Sequence, residues 1–136
     1  MYVFIFYFIF FRFSFCFFTI LLIKTYLNIS KIHGIGCFAG EFVSKDSKIA
    51  EFDINFDRKF SYEEFIIYKN YIEKYGYFEN NEYFLNMDNM KFFNHSENPT
   101  TYSKNFSDFA LKDIHIGEEL TCNYFDFDEF AKLKLH

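Results

Sequence analysis

Hydrophobic and polar positions along the chain fall into three regimes. Met1 to Ile23 is almost continuously apolar, broken at Arg12. Short runs bounded by turn residues follow. Tyr26 to Ser30 predicts a first strand, Gly34 to Phe42 a hairpin and second strand, and Lys48 to Phe52 a third, entered through Lys45-Asp46-Ser47. The period then changes. Ser61 can cap a helix, Glu64 three residues later completes a capping box, and Phe65, Tyr68, Ile72 and Tyr75 recur at helical spacing, so Ser61 to Tyr75 predicts a helix stopped by Gly76. Strand patterns return over Tyr83 to Met87, Asp108 to Asp113 and Leu120 to Tyr124. Many short strands around one helix imply a mainly β (β+α) fold.

The apolar segment 1–23 is long enough to cross a hydrocarbon core of ~30 Å as a helix. Its Phe, Ile, Leu and Val residues, at roughly −0.3 to −0.6 kcal/mol each, outweigh one Arg at about +3 kcal/mol. It reads either as a membrane anchor or as a start-site artefact, with residues 24–136 as the folded domain. Lys24 and Lys31 after it favour a cytoplasmic domain if it is an anchor. A soluble cytoplasmic or nuclear protein is the alternative.

Composition adds limits. A chain of 136 residues accommodates one core. Its 24 Phe and 11 Tyr, with no Trp, match AT-rich codon usage, so an aromatic run carries little functional weight by itself. A net charge of −5 argues against direct nucleic-acid binding and suits a basic protein partner. Cys16, Cys37 and Cys122 are scattered, which makes neither a disulfide framework nor a metal site and fits a reducing, intracellular setting.

Three segments carry chemistry. Gly34-Ile35-Gly36-Cys37-Phe38-Ala39 is a tight glycine pair. Phe92-Phe93-Asn94-His95-Ser96-Glu97-Asn98-Pro99 is an apolar approach into a polar turn. Gly117-Glu118-Glu119-Leu120-Thr121-Cys122-Asn123-Tyr124 is a glycine turn feeding a strand that ends at a tyrosine. In this order they resemble the SET-domain family of protein lysine methyltransferases over roughly Asn28 to Phe127. The chain departs from the family pattern at Glu97, usually Cys, at Thr100, usually Asn, and at Asp46, usually Gly. The first departure, with only twelve residues after Tyr124, argues against a zinc-bearing C-terminal tail.

The resemblance implies a β-clip fold of small curled sheets, with one inserted helix and the chain threaded under itself, knot-like, at the site. It implies S-adenosylmethionine as methyl donor, no metal, and a lysine-containing protein as substrate. Gly34, Gly36, Asn94 and His95 would hold the donor, and Tyr124 would be catalytic. Tyr83, Phe93, Phe125 and Phe127 are candidate walls of the lysine channel. A dry aromatic channel suits the reaction because desolvation favours the neutral amine over the ammonium. Adjacent Glu118 and Glu119 do not make a paired-carboxylate site, because neighbouring strand residues face opposite ways. The short C-terminus raises two further readings. Residues 128–135 or the partner copy in a homodimer supply the missing channel wall, or the chain is a catalytically silent SET-like module that binds a protein.

Overall fold

A computed structural model describes residues 21–135. Residues 1–20, which hold nearly all of the apolar segment, lie outside the described residues. Leu21 and Leu22 already pair with the folded residues: Leu21 bridges to Ala50, and the Leu22 N–H donates to the Ile49 carbonyl at 2.7 Å. No helix among the described residues is long and apolar enough to cross a membrane.

Three small sheets and one long helix make a mixed β-sheet and α fold. The first sheet joins β1 (Thr25–Ile29), β2 (Ile35–Ala39), β10 (Glu119–Cys122) and β7 (Asn94–His95), in the order β1-β2-β10-β7. Its β1–β2 hairpin closes through Gly34, whose φ of +52° is costly for residues with a Cβ. The β10–β7 pairing is parallel. The second sheet has β3 (Lys48–Glu51), β9 (Ser107–Ala110) and β8 (Thr101–Lys104), and the third has β4 (Arg58–Phe60), β6 (Glu82–Leu85) and β5 (Tyr77–Glu79).

Helix α1 (Tyr62–Tyr75) is inserted between β4 and β5. The capping box forms as expected: the Glu64 N–H donates to Ser61 Oγ at 3.2 Å, and the Ser61 N–H donates to Glu64 Oε2 at 3.0 Å. Phe65 and Ile72 bury against the third sheet. Tyr68, expected on that face, is exposed, because the helix kinks there with φ −105° and ψ 18°. Beyond Phe127 the chain turns into a short helix, α2 (Ala131–Lys134), which packs near α1.

Two apolar clusters divide the interior. The larger holds Cys37, Ile49, Met90, Phe93, Ile114, Leu120 and Cys122, among others, beneath the first two sheets. The smaller holds Phe60, Phe65, Ile72, Tyr83 and Leu85 under α1. Several strands escaped the pattern reading. The β5–β6 hairpin turns on Asn80-Asn81 and the β8–β9 hairpin on Asn105-Phe106, all four at positive φ. These are two-residue turns of the type that hairpins favour, without the usual glycine. Asp46 also sits at positive φ, 65°, at the position where a glycine would be usual.

Replacing Ser61 with Ala removes the acceptor that starts α1. The expected cost is about 1 kcal/mol, seen as a melting temperature lowered by several degrees. A thermal melt indistinguishable from the parent would show that the sheet contacts of α1 hold it without its cap.

Candidate functional site

The site is assembled around β10. This strand is central, with β2 on one side and β7 on the other. Its Thr121 and Cys122 pair with Asn94 and His95, so the polar turn is carried on the strand that ends just before Tyr124. Two residues make a short ladder, and hydroxyls extend it. Thr100 Oγ1 accepts from the Thr121 N–H at 2.8 Å and donates to the Glu119 carbonyl at 3.2 Å, while Thr101 Oγ1 donates to the Thr121 carbonyl at 2.9 Å. Thr100, the departure after Pro99, is buried and ties the turn to β10.

On one side of this strand the glycine hairpin meets the turn. Asn94 is buried, and its Nδ2 lies 3.1 Å from the His33 carbonyl, 3.3 Å from the Ile35 carbonyl and 2.8 Å from Glu119 Oε1. Gly34 has open space where a Cβ would point. Gly36 does not: a Cβ there would meet Glu119 Oε1 at 2.3 Å, so its missing side chain is filled by the folded-in glutamate. The structure thus brings Gly36 and Asn94 together with Glu119, which sequence reasoning passed over. Strand alternation carried the signal. Glu118 turns the other way, to the His115 N–H and Lys112, while Glu119 turns to the Asn94 corner.

His95 links this corner to the tyrosine. Its Nδ1 accepts from the Tyr124 N–H at 3.2 Å, which places the ring proton on Nε2 in the neutral form. The rings lie 5.4 Å apart at 51°. The Tyr124 hydroxyl donates to the Phe93 carbonyl at 2.8 Å. Burial pushes the phenol well above its ordinary range, so it stays protonated at neutral pH.

A cavity of about 120 Å³ opens on the other side of Tyr124. Phe93 and Phe127 line it, with Met90, Tyr77, Asp108 and Lys134. Phe127 stands edge-on to Tyr124 at 6.3 Å and to Tyr77 at 5.4 Å. Phe125 does not line the cavity; it is exposed and edge-on to His95. Tyr83 is not brought to the site either. It stacks on Phe65 at 3.9 Å in the smaller core, because the β4–β6 register turns it toward α1. Tyr77, in a strand too short to read from the sequence, takes a wall position instead.

Of residues 128–135, Lys134 reaches this cavity. Asp128 is buried and pairs with Lys134 Nζ at 2.5 Å. That ammonium also donates to the Gly76 carbonyl and stands 5.3 Å from the centre of the Tyr124 ring. Among the described residues no three His, Cys, Asp or Glu side chains gather as metal ligands. Burial raises the thiol of Cys37 to about 12, and that of Cys122 moves in the same direction.

Among the cavity's shifted groups, Asp108 is a carboxyl raised toward neutral pH. Burial pushes its carboxyl from 3.8 to about 6, against the opposing hydrogen bond from Ser103. Between those values the folded chain holds a proton that the unfolded chain releases. This contribution to stability is present below the unfolded value and lost as pH rises through about 6. Asp57, raised to about 6 by burial, acts in the same sense. Melting curves between about pH 4 and 7.5 should show Asp108→Asn losing less stability than the parent across the interval from 3.8 to about 6. Parallel curves for the two proteins would remove Asp108 as the source.

Comparisons with known proteins bear on the family and the fold. The SET-domain family profile matches residues 34–125. No curated protein matches the sequence. Among solved structures, a Plasmodium falciparum protein assigned as a histone methyltransferase is similar with a TM-score of 0.59 and 23% identity, over 74% of this chain and 92% of that one. Polycomb Repressive Complex 2 of Chaetomium thermophilum, in an autoinhibited conformation bound to S-adenosylmethionine, is similar with a TM-score of 0.64 and 20% identity, over 83% of this chain. A humanized mutant of that complex bound to the inhibitor GSK126 gives 0.61 and 20% over 80%. This chain spans 16% of the length of those two Polycomb chains. The expectation of a cytoplasmic domain is withdrawn: these likenesses are to Polycomb Repressive Complex 2 chains, and the nuclear alternative is the one in keeping with them. The profile match, covering the glycine hairpin, the Asn94-His95 turn and Tyr124, shows that the chain belongs to the SET-domain family of protein lysine methyltransferases.

Proposed function

We propose that this chain transfers a methyl group from S-adenosylmethionine to a lysine side chain of a histone-type protein, with Tyr124 between a donor corner and a lysine-accepting cavity. The observation that carries the reading is the position of Tyr124. Its N–H is held by His95 beside the Asn94 corner, and its side chain lines the cavity on the other side. One residue therefore touches both halves that an in-line transfer must join.

The residues present fit the donor. Open space at Gly34, beside the His33 and Ile35 carbonyls that hold the Asn94 amide, suits the amino-acid arm of the donor. Asn94, Gly34, Gly36 and His95 would hold it. When bound, the donor supplies an electrophilic methyl on a sulfonium centre.

The chain's own groups do the rest. Phe93, Phe127 and Met90 give the cavity apolar walls, which favour the neutral amine needed for attack. The Tyr124 hydroxyl has committed its proton to the Phe93 carbonyl, so its lone pairs remain to accept an N–H of the incoming amine and orient it. A phenol raised above its ordinary range holds its proton at neutral pH, so its contribution is alignment rather than deprotonation. The parallel β7–β10 pair, with residues 96–100 tied back to β10, supports the finer reading of a chain threaded at the site in a β-clip arrangement. Domain limits of 24–136 belong to the same proposal, with Leu21 to Ile23 leading in.

Tyr124→Phe should lower turnover by about 100-fold with donor affinity little changed, because the hydroxyl acts on the transition state. It should also cost about 1 kcal/mol of stability for the lost bond to Phe93. The measurement is transfer of labelled methyl to histones and to a cell lysate, with melting temperature and donor titration on the same preparation. Parent-like transfer by the variant would remove Tyr124 from the mechanism. Donor binding without transfer by the parent to any protein would favour the silent binding module.

A further inference from the structure

We propose that Glu119 is a positioning residue of the donor corner: it fixes the Asn94 side-chain amide so that the carbonyl oxygen, and not the NH2, faces the donor's ammonium. The inference rests on the methyl-transfer reading and deepens it.

An asparagine amide can be turned by 180° with almost no change of shape, and only its surroundings decide which end points where. A donor ammonium needs acceptors, so the wrong orientation would oppose two N–H groups to a cation. At Asn94 the surroundings are one-sided. Three acceptors, the His33 and Ile35 carbonyls and Glu119 Oε1, lie within 3.3 Å of the nitrogen. An oxygen in that place would face all three. With the nitrogen engaged, Asn94 Oδ1 points the other way, and among the described residues nothing donates to it.

Glu119 is the decisive member of the three. It makes the shortest contact, 2.8 Å, and the only charged one. Hydrogen bonds to an ionised acceptor are roughly twice as strong as neutral ones. The carboxylate is itself held. Ser30 Oγ donates to Oε2 at 2.9 Å, and the missing Cβ of Gly36 gives the head group its room. Gly36 lies in β2, Asn94 in β7 and Glu119 in β10, and Ser30 directly follows β1, so three strands of the first sheet and the turn after the fourth contribute to this one orientation.

Glu119→Gln tests the idea with little change of volume. Its side-chain NH2 can donate to an asparagine oxygen, which removes the preference that the carboxylate imposes. The readout is calorimetric titration with two ligands: S-adenosylhomocysteine, which carries the ammonium, and methylthioadenosine, which has the same nucleoside and sulfur without the amino-acid arm. The expected result is about tenfold weaker binding of the first and unchanged binding of the second, in line with loss of one charged-group hydrogen bond. Ser30→Ala, which frees the carboxylate, should act in the same direction by a smaller factor, and it carries the test if Glu119→Gln does not fold. Equal losses for both ligands, or no loss for either, would overturn the role of Glu119. A parent chain that binds neither ligand would overturn the methyl-transfer reading itself, and this inference with it.

Discussion

The two-residue parallel pairing of β7 with β10 is the constraint on which the site depends. It sets Asn94 beside Thr121 and His95 beside Cys122. Through it the turn that meets the glycine hairpin and the tyrosine that lines the cavity are parts of one sheet. So short a ladder has little strength of its own, and parallel pairing is slightly weaker per residue than antiparallel. The Thr100 and Thr101 hydroxyls compensate. Their bonds to β10 are buried and therefore costly to leave unmade. Thr100 can replace the family's usual asparagine because the position requires a side chain that both donates and accepts at short reach.

The interior follows from the same arrangement. The larger cluster lies beneath the sheet that carries the site, with Phe93, Leu120 and Cys122 in it. Strand positions in the site are thus fixed by burial of their neighbours. The smaller cluster under α1 is almost separate and more aromatic, with Phe65 stacked on Tyr83 and Phe78 against Phe130. Phe130, next to α2, joins the C-terminal end of the chain to this second core. The inserted helix and the chain end therefore share one packing unit at the edge of the cavity.

Much of this was legible in the sequence, and what was not has physical reasons. The capping box at Ser61 and Glu64 marked α1 because a helix start needs those groups at that spacing. Asn94, His95 and Tyr124 stood out through a dense polar motif. The β8–β9 and β5–β6 hairpins were hidden because their turns use Asn-Phe and Asn-Asn where a glycine would have signalled them. Strand β7, with two residues, has no period to detect. Tyr83 was expected at the channel and Tyr77 was overlooked, since in a chain so rich in rings only tertiary register tells a wall from a core. Glu119 was set aside for a sound reason, that it cannot act with Glu118, but a partner across the sheet was not visible from spacing alone.

The ion pair between Asp128 and Lys134 gives the end of the chain a weight out of proportion to its length. The carboxylate is fully enclosed, and Lys134 is its ion-pair partner. Losing one member of such a pair leaves an uncompensated buried charge, at a typical cost of about 3–5 kcal/mol. Here that charge would be left close to the ring of Tyr124. A chain cut before Lys134 would retain every segment of the family motif and still have an altered field around the Tyr124 ring. The practical boundary of the functional unit is therefore electrostatic: it lies at the last cation that neutralises the cavity wall, ten residues beyond the last motif residue.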